Sequence, residues 1–131
     1  MKHPQQNEII NELRDRMIET YSDRLIAIIL FGSQARGDAT PDSDFDVLIV
    51  LKNLVNTVKE IKQTGYFLSP LCLKYSVVIC NLFFSVTRFE NEQTMLMQNI
   101  RKEGVYIYDK RAAISSAKSS RQLTCCQTIR S

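Results

Sequence analysis

The sequence is poor in the residues that build metal sites from histidine and cysteine. Its only histidine is His3, and its four cysteines include no CxxC pair. Because zinc sites usually combine several such ligands at short spacing, we do not expect one here. Cys72 and Cys80 lie in apolar stretches and are predicted to be small buried side chains, whereas Cys125 and Cys126 lie in a polar segment and are predicted to be exposed.

Long hydrophobic runs are also missing. No apolar run approaches the roughly 18 residues that span a bilayer, and the polar start MKHPQQNEII has no signal-peptide pattern. We therefore expect a cytoplasmic protein that does not associate with membranes. The length of 131 residues, with 44% hydrophobic and 24% charged residues, predicts one globular domain with its own core.

Residues 1–108 lack a net positive charge. The net charge is +3, but residues 109–131 contain five lysines and arginines against Asp109 alone, so residues 1–108 sum to −1. The body is therefore not a basic surface for nucleic acid, and nonspecific binding of nucleic acid through the tail is the weakest functional hypothesis. We predict a domain over residues 1–108 and a basic, flexible tail over residues 109–131.

Hydrophobic periodicity predicts an α/β or α+β protein, in which a small mixed sheet of about four strands is flanked by helices. Apolar residues at helical spacing predict a first helix over residues 4–21, and capping-box patterns predict helices that begin at Thr57 and Thr87. We expect Pro70 to end or kink the second helix, and Gly104 to end the third helix. The predicted strands cover residues 25–31, 45–51, 76–84 and 105–108.

The stretch that carries chemistry joins the first two predicted strands. A buried strand ends in Gly32-Ser33, ten residues intervene, and Asp44-x-Asp46 begins the next strand. Because successive side chains of a strand alternate faces, Asp44 and Asp46 project from the same face. Two adjacent carboxylates repel each other unless a cation lies between them, and such oxygen ligands suit Mg²⁺. Gly32 lets the backbone approach a phosphate, for which the N–H groups of the turn and the Ser33 hydroxyl are donors.

Each half of this pattern also has a purely structural interpretation. A Gly-Ser turn is common by itself, and an Asp-x-Asp at the start of a strand can be a turn with two solvated acids. The two halves together, at this spacing and between two apolar strands, favour a site for a metal-nucleotide complex.

The stretch GSQARGDATPDSDFDVLIV resembles the GSxARGxxxxxSDxDxxV signature of the DNA polymerase β-like nucleotidyltransferase superfamily. It is most similar to the shortest members, the minimal nucleotidyltransferases (MNT) of prokaryotes. The resemblance extends over about residues 5–108, where the order of predicted elements also agrees. It implies the nucleotidyltransferase fold and a Mg²⁺-dependent enzyme of the two-metal type, which promotes attack on the α-phosphate of ATP or another NTP.

The resemblance also assigns roles to individual residues. It implies that Gly32 and Ser33 hold the phosphates, and that Asp44 and Asp46 are the metal ligands and catalytic acids. Arg36 matches the arginine of the signature. For Arg36 we consider a phosphate contact, a brace for the acidic loop and a purely structural ion pair as alternatives.

Minimal nucleotidyltransferases commonly pair with a HEPN-domain protein in a toxin–antitoxin system. The resemblance therefore implies transfer of a nucleotidyl group, most often AMP from Mg-ATP, to a hydroxyl of such a partner protein. The alternative is a catalytically weak or inactive nucleotide-binding antitoxin that acts by binding its partner. The sequence leaves a homo-oligomer open.

The sequence departs from the superfamily at the third carboxylate, which is expected early in the strand predicted over residues 76–84. No Asp or Glu occurs between Glu60 and Glu90. Ser76 is predicted to stand in its place beside Asp44 and Asp46, and the rival Asn81 is predicted to lie on the opposite face of the strand. Because the third acid helps to hold the ion that activates the attacking hydroxyl, its loss is expected to weaken catalysis more than nucleotide binding.

Overall fold

The computed structural model describes residues 5–37, 44–53 and 55–110. The helices in this part of the chain are α1 (Gln6–Tyr21), α2 (Ser33–Arg36), α3 (Thr57–Tyr75), α4 (Val86–Asn91) and α5 (Met95–Glu103). The strands are β1 (Leu25–Phe31), β2 (Phe45–Leu51), β3 (Ile79–Ser85) and β4 (Val105–Asp109), and a short 3-10 turn precedes β1. The predicted class, a mixed α/β protein with a four-stranded sheet flanked by helices, is confirmed.

The sheet has the strand order β3-β2-β1-β4. Strand β1 pairs antiparallel with β2 and with β4, whereas β2 and β3 are parallel. A parallel pair needs a long crossover connection, and α3 provides it. The two central strands are covered on both faces, which explains why β1 and β2 are continuous apolar runs rather than alternating ones.

Helices cover both faces of the sheet, but to different extents. On one face, α1 and α3 pack a large core that includes Ile9, Leu13 and Phe67. On the other face, α5 contributes Met97 and Ile100 to a smaller core. The smaller layer does not reach the beginning of β2, where the side chain of Asp44 is exposed.

The predicted capping boxes are wrong, although both helical regions exist. Helix α3 is capped by Asn56, whose side chain accepts a hydrogen bond from the N–H of Lys59 at 3.2 Å. Asparagine is a stronger N-cap than threonine, so the cap falls one residue before Thr57. Glu60 does not turn back to the cap; it is buried and accepts a hydrogen bond from the Tyr21 hydroxyl at 3.0 Å.

The helix predicted from Thr87 is two helices. Ser85 caps α4 and Thr94 caps α5, each through a side-chain oxygen that accepts from a backbone N–H three residues later. A helix needs an N-cap at each start, and two good caps nine residues apart divide this region into two short elements. Helix α5 still ends where predicted, because Gly104 is its C-cap.

Helix α3 continues past Pro70 to Tyr75, so the prediction that the third strand begins at residue 76 is wrong. Burial of Phe67 and Leu71 on the inner side of the helix outweighs the backbone hydrogen bond that Pro70 removes. Ser76 ends the helix in the left-handed conformation, with φ 54° and ψ 48°. The N–H of Val77 then reaches the Cys72 carbonyl at 3.0 Å, which is a Schellman ending.

Among the described residues, no helix combines the length and the apolar character needed to cross a membrane. Residues 111–131 of the predicted tail lie outside the described part of the chain, and β4 extends to Asp109.

Candidate functional site

Asp44 and Asp46 lie at the beginning of β2 and point to the same side of the sheet. Phe45 between them is 1% exposed and belongs to the core under α1 and α3. Because the side chains of a strand alternate, the two flanking carboxylates face the opposite side, which the smaller helical layer leaves open at this end. Asp44 is exposed and Asp46 is half-buried, so both can meet a ligand from solvent.

Gly32 lies directly against the carboxylate of Asp46. The register places Asp46 beside Phe31, the last residue of β1, and Gly32 follows it. Gly32 has φ +74°, and a Cβ on it would lie 2.5 Å from Oδ2 of Asp46. Such a contact is too close to be tolerated, so any side chain here would displace the Asp46 carboxylate, and the positive φ also favours glycine. The structure thus brings together the two halves of the sequence motif.

The predicted turn after Gly32 is in fact one helical turn, α2. Ser33 begins it, and the N–H groups of Ala35 and Arg36 both donate to the Gly32 carbonyl, at 3.1 and 3.0 Å. The first N–H groups of a helix have no partners inside it and favour an anion. This is the arrangement expected next to a phosphate, although residues 38–43 of the same loop lie outside the described residues.

Sequence analysis missed the residues that anchor α2. Gln34 is fully buried, and the amide of Gln6 on α1 donates to its backbone carbonyl at 3.2 Å and to its side-chain oxygen at 3.1 Å. A glutamine pair 28 positions apart has no signature that would reveal it before the helices are placed. The pair holds the Gly32-Ser33 turn in a fixed position relative to α1.

The electrostatics of the site suit a bound cation. Burial raises the pKa of Asp46, the Asp44 carboxylate raises it further, and Arg36 lowers it. Burial also raises the pKa of the Cys80 thiol, and Asp44 and Asp46 add to this effect. Both pKa shifts arise first from burial and then from neighbouring negative charge, and a bound cation would offset the negative charge.

Arg36 extends the site towards α5. Its guanidinium forms an ion pair with Glu103, at 3.2 Å between Nη1 and Oε2. Arg36 therefore makes the structural ion pair considered above, while it remains close enough to Asp46 to lower the pKa of that carboxyl. An incoming phosphate would compete with Glu103 for this guanidinium.

Ser76 lies at the end of α3, three residues before β3 begins, and its backbone N–H bonds to carbonyls of α3. The side chain that meets the carboxylates is that of Cys80, whose Sγ lies 4.0 Å from Oδ2 of Asp44. Cys80 is also the register partner of Asp46 across the parallel β2–β3 pair. Contrary to prediction, Cys80 is exposed, whereas Cys72 is half-buried.

Asn81 follows Cys80 and points the other way, as predicted. It shares the face of Ile79 and Phe83, which pack in the core under α1 and α3. Both polar atoms of its side chain are buried without a hydrogen-bond partner. Asn81 is therefore not a ligand of this site.

The described residues contain no group of three histidine, cysteine or acidic side chains placed to hold a metal ion by themselves. A separate cavity of about 240 Å³ lies beyond α2 and is lined in part by Gln6, Leu30 and Gln34, but not by the carboxylates. The candidate site is thus an open surface at the end of the sheet.

Comparison with known proteins identifies the family of this chain. The profile of the nucleotidyltransferase domain family matches residues 10–107. This chain belongs to that family. A relative of this nucleotidyltransferase in Methanocaldococcus jannaschii, described as a candidate protein adenylyltransferase, is 39% identical over 80 residues, which are 61% of this chain and 80% of the relative. The family predicted from the signature is confirmed.

Two solved structures share the fold of this nucleotidyltransferase. A toxin–antitoxin complex with AMP-PNP gives a TM-score of 0.56 at 14% identity, over 92% of this chain and 89% of the other. A complex of a tri-AMPylated HEPN toxin with its MNT antitoxin, from Shewanella oneidensis, gives a TM-score of 0.53 at 13% identity, over 95% and 89%. At these identities the similarity establishes the nucleotidyltransferase fold.

Proposed function

We propose that this nucleotidyltransferase binds Mg-ATP at Gly32, Ser33, Asp44 and Asp46 and transfers AMP to a hydroxyl of a HEPN-domain partner protein. The observation that carries the proposal is the close approach of Gly32 to Asp46, where a Cβ would lie 2.5 Å from the carboxylate. This closeness supports the proposal, because a nucleotide with its bound ion needs a turn that can hold phosphate next to an acid that can hold the ion. The proposal is supported by the relative described as a protein adenylyltransferase and by the fold shared with toxin–antitoxin complexes.

The donor set fits magnesium. Mg²⁺ is usually bound through one or two carboxylates and completes its shell with phosphate oxygens and water. Asp44 and Asp46 would supply the carboxylates, and the nucleotide would supply the phosphate oxygens. When bound, divalent ions would offset phosphate charge and polarise the α-phosphate.

The proposed reaction is an in-line displacement at phosphorus. The acceptor hydroxyl oxygen forms a bond to the α-phosphorus, and the bond from that phosphorus to the oxygen bridging to the β-phosphate breaks. Pyrophosphate leaves with the electron pair, and the hydroxyl proton passes to solvent. Ser33 and the turn would hold the phosphates, and Asp44 and Asp46 would hold the divalent ions beside the α-phosphate.

The site assignment is tested by calorimetry of ATP binding in the presence of Mg²⁺. The double variant Asp44→Asn, Asp46→Asn keeps the side-chain shapes but removes both charges, so we expect loss of Mg²⁺-dependent ATP binding with a folded protein. Asp15→Asn, which removes an exposed acid on α1, is the matched control and should bind ATP normally. Unchanged ATP affinity in the double variant would refute the assignment.

Binding of the partner without transfer is the second candidate function. It is favoured by one observation: the residue opposite Asp46 on β3 is Cys80 rather than an acid. Mass spectrometry of a HEPN-domain protein from the same genome, after co-expression with this chain, separates the two functions. An added AMP mass that disappears in the Asp44→Asn, Asp46→Asn variant shows transfer, whereas a stable complex without added mass shows binding alone.

A further inference from the structure

We propose that Gln6 is a positioning residue for nucleotide binding, because it fixes the place of the Gly32-Ser33 turn relative to the carboxylate of Asp46. The inference rests on the proposed function, in which this turn holds the phosphates and Asp46 holds an ion. Gln6 lies on α1, and it acts through the two hydrogen bonds that it donates to Gln34, the residue after Ser33.

These two bonds, from one buried amide, anchor α2 on the side that faces α1. Nε2 of Gln6 donates to the backbone carbonyl of Gln34 at 3.2 Å and to its side-chain Oε1 at 3.1 Å. Gln6 is 7% exposed and Gln34 is fully buried, so water has little access to replace either bond. Because a buried acceptor that loses its donor pays the full cost of desolvation, the pair resists any movement of α2 away from α1.

The contacts around α2 make Gln6 its main anchor. On the opposite face of the sheet, Arg36 forms an ion pair with Glu103, but the two side chains are 44% and 33% exposed. Exposed ion pairs contribute little to stability, and salt screens them. Next to Gln6, the cavity of about 240 Å³ is lined in part by Gln34 and Ala35. Atoms that face a cavity lose packing contacts, so hydrogen bonds rather than close packing hold α2 on this side.

The position of α2 matters because the turn has little room beside Asp46. A Cβ on Gly32 would lie 2.5 Å from Oδ2 of Asp46. Gln34 belongs to the same helical turn as Ser33, so a displacement of Gln34 is passed on to the residues that are proposed to hold phosphate. A misplacement of about 1 Å in an active site can cost about 100-fold in rate.

Gln6→Leu tests the inference, because it keeps the approximate size of the side chain and removes both bonds. We expect Mg-ATP to bind at least about 10-fold more weakly in calorimetry at a temperature where the variant is fully folded. Without nucleotide, hydrogen exchange followed by NMR should become at least about 10-fold faster at the amides of residues 35–37, which form the backbone bonds of α2. Gln34→Leu loses only the side-chain bond, so both changes should be smaller, and it serves as the test if Gln6→Leu does not fold.

Met17→Ala is the matched control. Met17 is fully buried on the same helix, roughly 16 Å along its axis from Gln6, so the variant lowers stability at a distance from α2. It should keep the wild-type ATP affinity and the slow exchange at residues 35–37, and a purely structural role would make Gln6→Leu behave in the same way.

Equal ATP affinities in the wild type and Gln6→Leu, or unchanged exchange at residues 35–37, would overturn the inference. The exchange measurement needs no nucleotide, so it also separates this inference from the proposed function. A wild type that binds no Mg-ATP, together with faster exchange in Gln6→Leu, would refute the proposed function while the anchoring of α2 by Gln6 stands.

Discussion

At the scale of single residues, the two glycines that flank α2 both have positive φ but differ in ψ and in their surroundings. Gly32 has φ +74° and ψ −157°, a region essentially restricted to glycine, whereas Gly37 has φ +84° and ψ 11°, the ordinary left-handed region. A Cβ on Gly32 would meet Asp46, and no other described residue lies within 4 Å of a Cβ on Gly37. Gly32→Ala therefore carries both a contact and a larger conformational cost than Gly37→Ala.

We expect Gly32→Ala to lower the free energy of unfolding by roughly 1–3 kcal/mol and to abolish Mg-ATP binding, because the methyl group must displace the Asp46 carboxylate. Gly37→Ala should lower stability but retain binding. Chemical denaturation and calorimetry measure the two effects. Equal ATP affinities in the two variants would show that the close approach of Gly32 to Asp46 has no part in nucleotide binding.

Ser76 occupies a position that glycine fits better. It ends α3 with φ 54°, in the left-handed region that costs a side-chain-bearing residue about 1 kcal/mol. We expect Ser76→Gly to raise the free energy of unfolding by up to about 1 kcal/mol. Ser69→Gly, at an exposed position inside the same helix, should lower it by a similar amount and serves as the control.

Added carboxylates at Ser76 and at Cys80 test which of the two positions corresponds to the missing third carboxylate. The structure places Ser76 before β3 and places Cys80 against Asp44, so an added carboxylate at Ser76 should not change the rate of AMP transfer. The same carboxylate at Cys80 should raise it, because it adds a charged ligand to the site. A transfer assay with labelled ATP that finds the gain in Ser76→Asp and none in Cys80→Asp would reverse this assignment.

At the scale of elements, a polar cluster joins α1 to α3. Glu12 accepts hydrogen bonds from Lys74 at 2.7 Å and from the Tyr75 hydroxyl at 2.6 Å. The bond from Lys74, followed by that from Tyr75, lowers the pKa of Glu12 below its ordinary value of 4.5. A lowered carboxyl pKa contributes stability that is present above the unfolded value and is lost as the pH falls through the folded value.

We therefore expect Glu12→Gln to lower the melting temperature at neutral pH, and the difference from the wild type to shrink as the pH falls below about 4. Glu19→Gln removes a more exposed acid of the same helix and should show a smaller difference at neutral pH. Thermal unfolding over a pH series makes the comparison. A difference that grows towards acid pH would contradict the role of Glu12.

Strand β3 contains a polar group that its environment does not satisfy. The amide of Asn81 is buried without a partner, between the apolar neighbours Ile79 and Phe83 on the same face. An unpaired buried polar group costs about 1–3 kcal/mol, and an apolar side chain of similar shape removes that cost. We expect Asn81→Leu to raise the free energy of unfolding by about 1 kcal/mol, whereas Asn81→Ala should gain less. Denaturant titration tests this, and a destabilised Asn81→Leu would point to an unseen partner for the amide.

At the scale of the whole molecule, β4 is the last element of the part of the chain that the structure describes. The family profile matches up to residue 107, and Lys110 donates to the Asp23 carbonyl at 2.8 Å. We expect a chain cut after Lys110 to fold, with a melting temperature within a few degrees of the full chain. A truncated chain that does not fold would show that residues 111–131 belong to the domain.

The local signals of the sequence predicted which helices and strands exist better than they predicted the residues at which these elements begin and end. The apolar runs of β1 and β2 gave both strands their observed bounds, because continuous burial leaves an unambiguous pattern. The caps of α3, α4 and α5 were misplaced, because several adjacent residues can each cap a helix. The end of α3 was misplaced because burial of Phe67 and Leu71 carries the helix through Pro70, and propensity alone does not include packing.

What the sequence determined by itself is the family, the four-stranded mixed sheet and the pairing of a Gly-Ser turn with Asp44 and Asp46. These follow from contiguous residues, whose spacing fixes which side of a strand they face. What only the tertiary structure decided is which side chain of the neighbouring strand lies beside Asp44. Cys80 comes to Asp44 through the register of two parallel strands joined by a long crossover, and that register depends on how α3 packs on the sheet rather than on any local pattern.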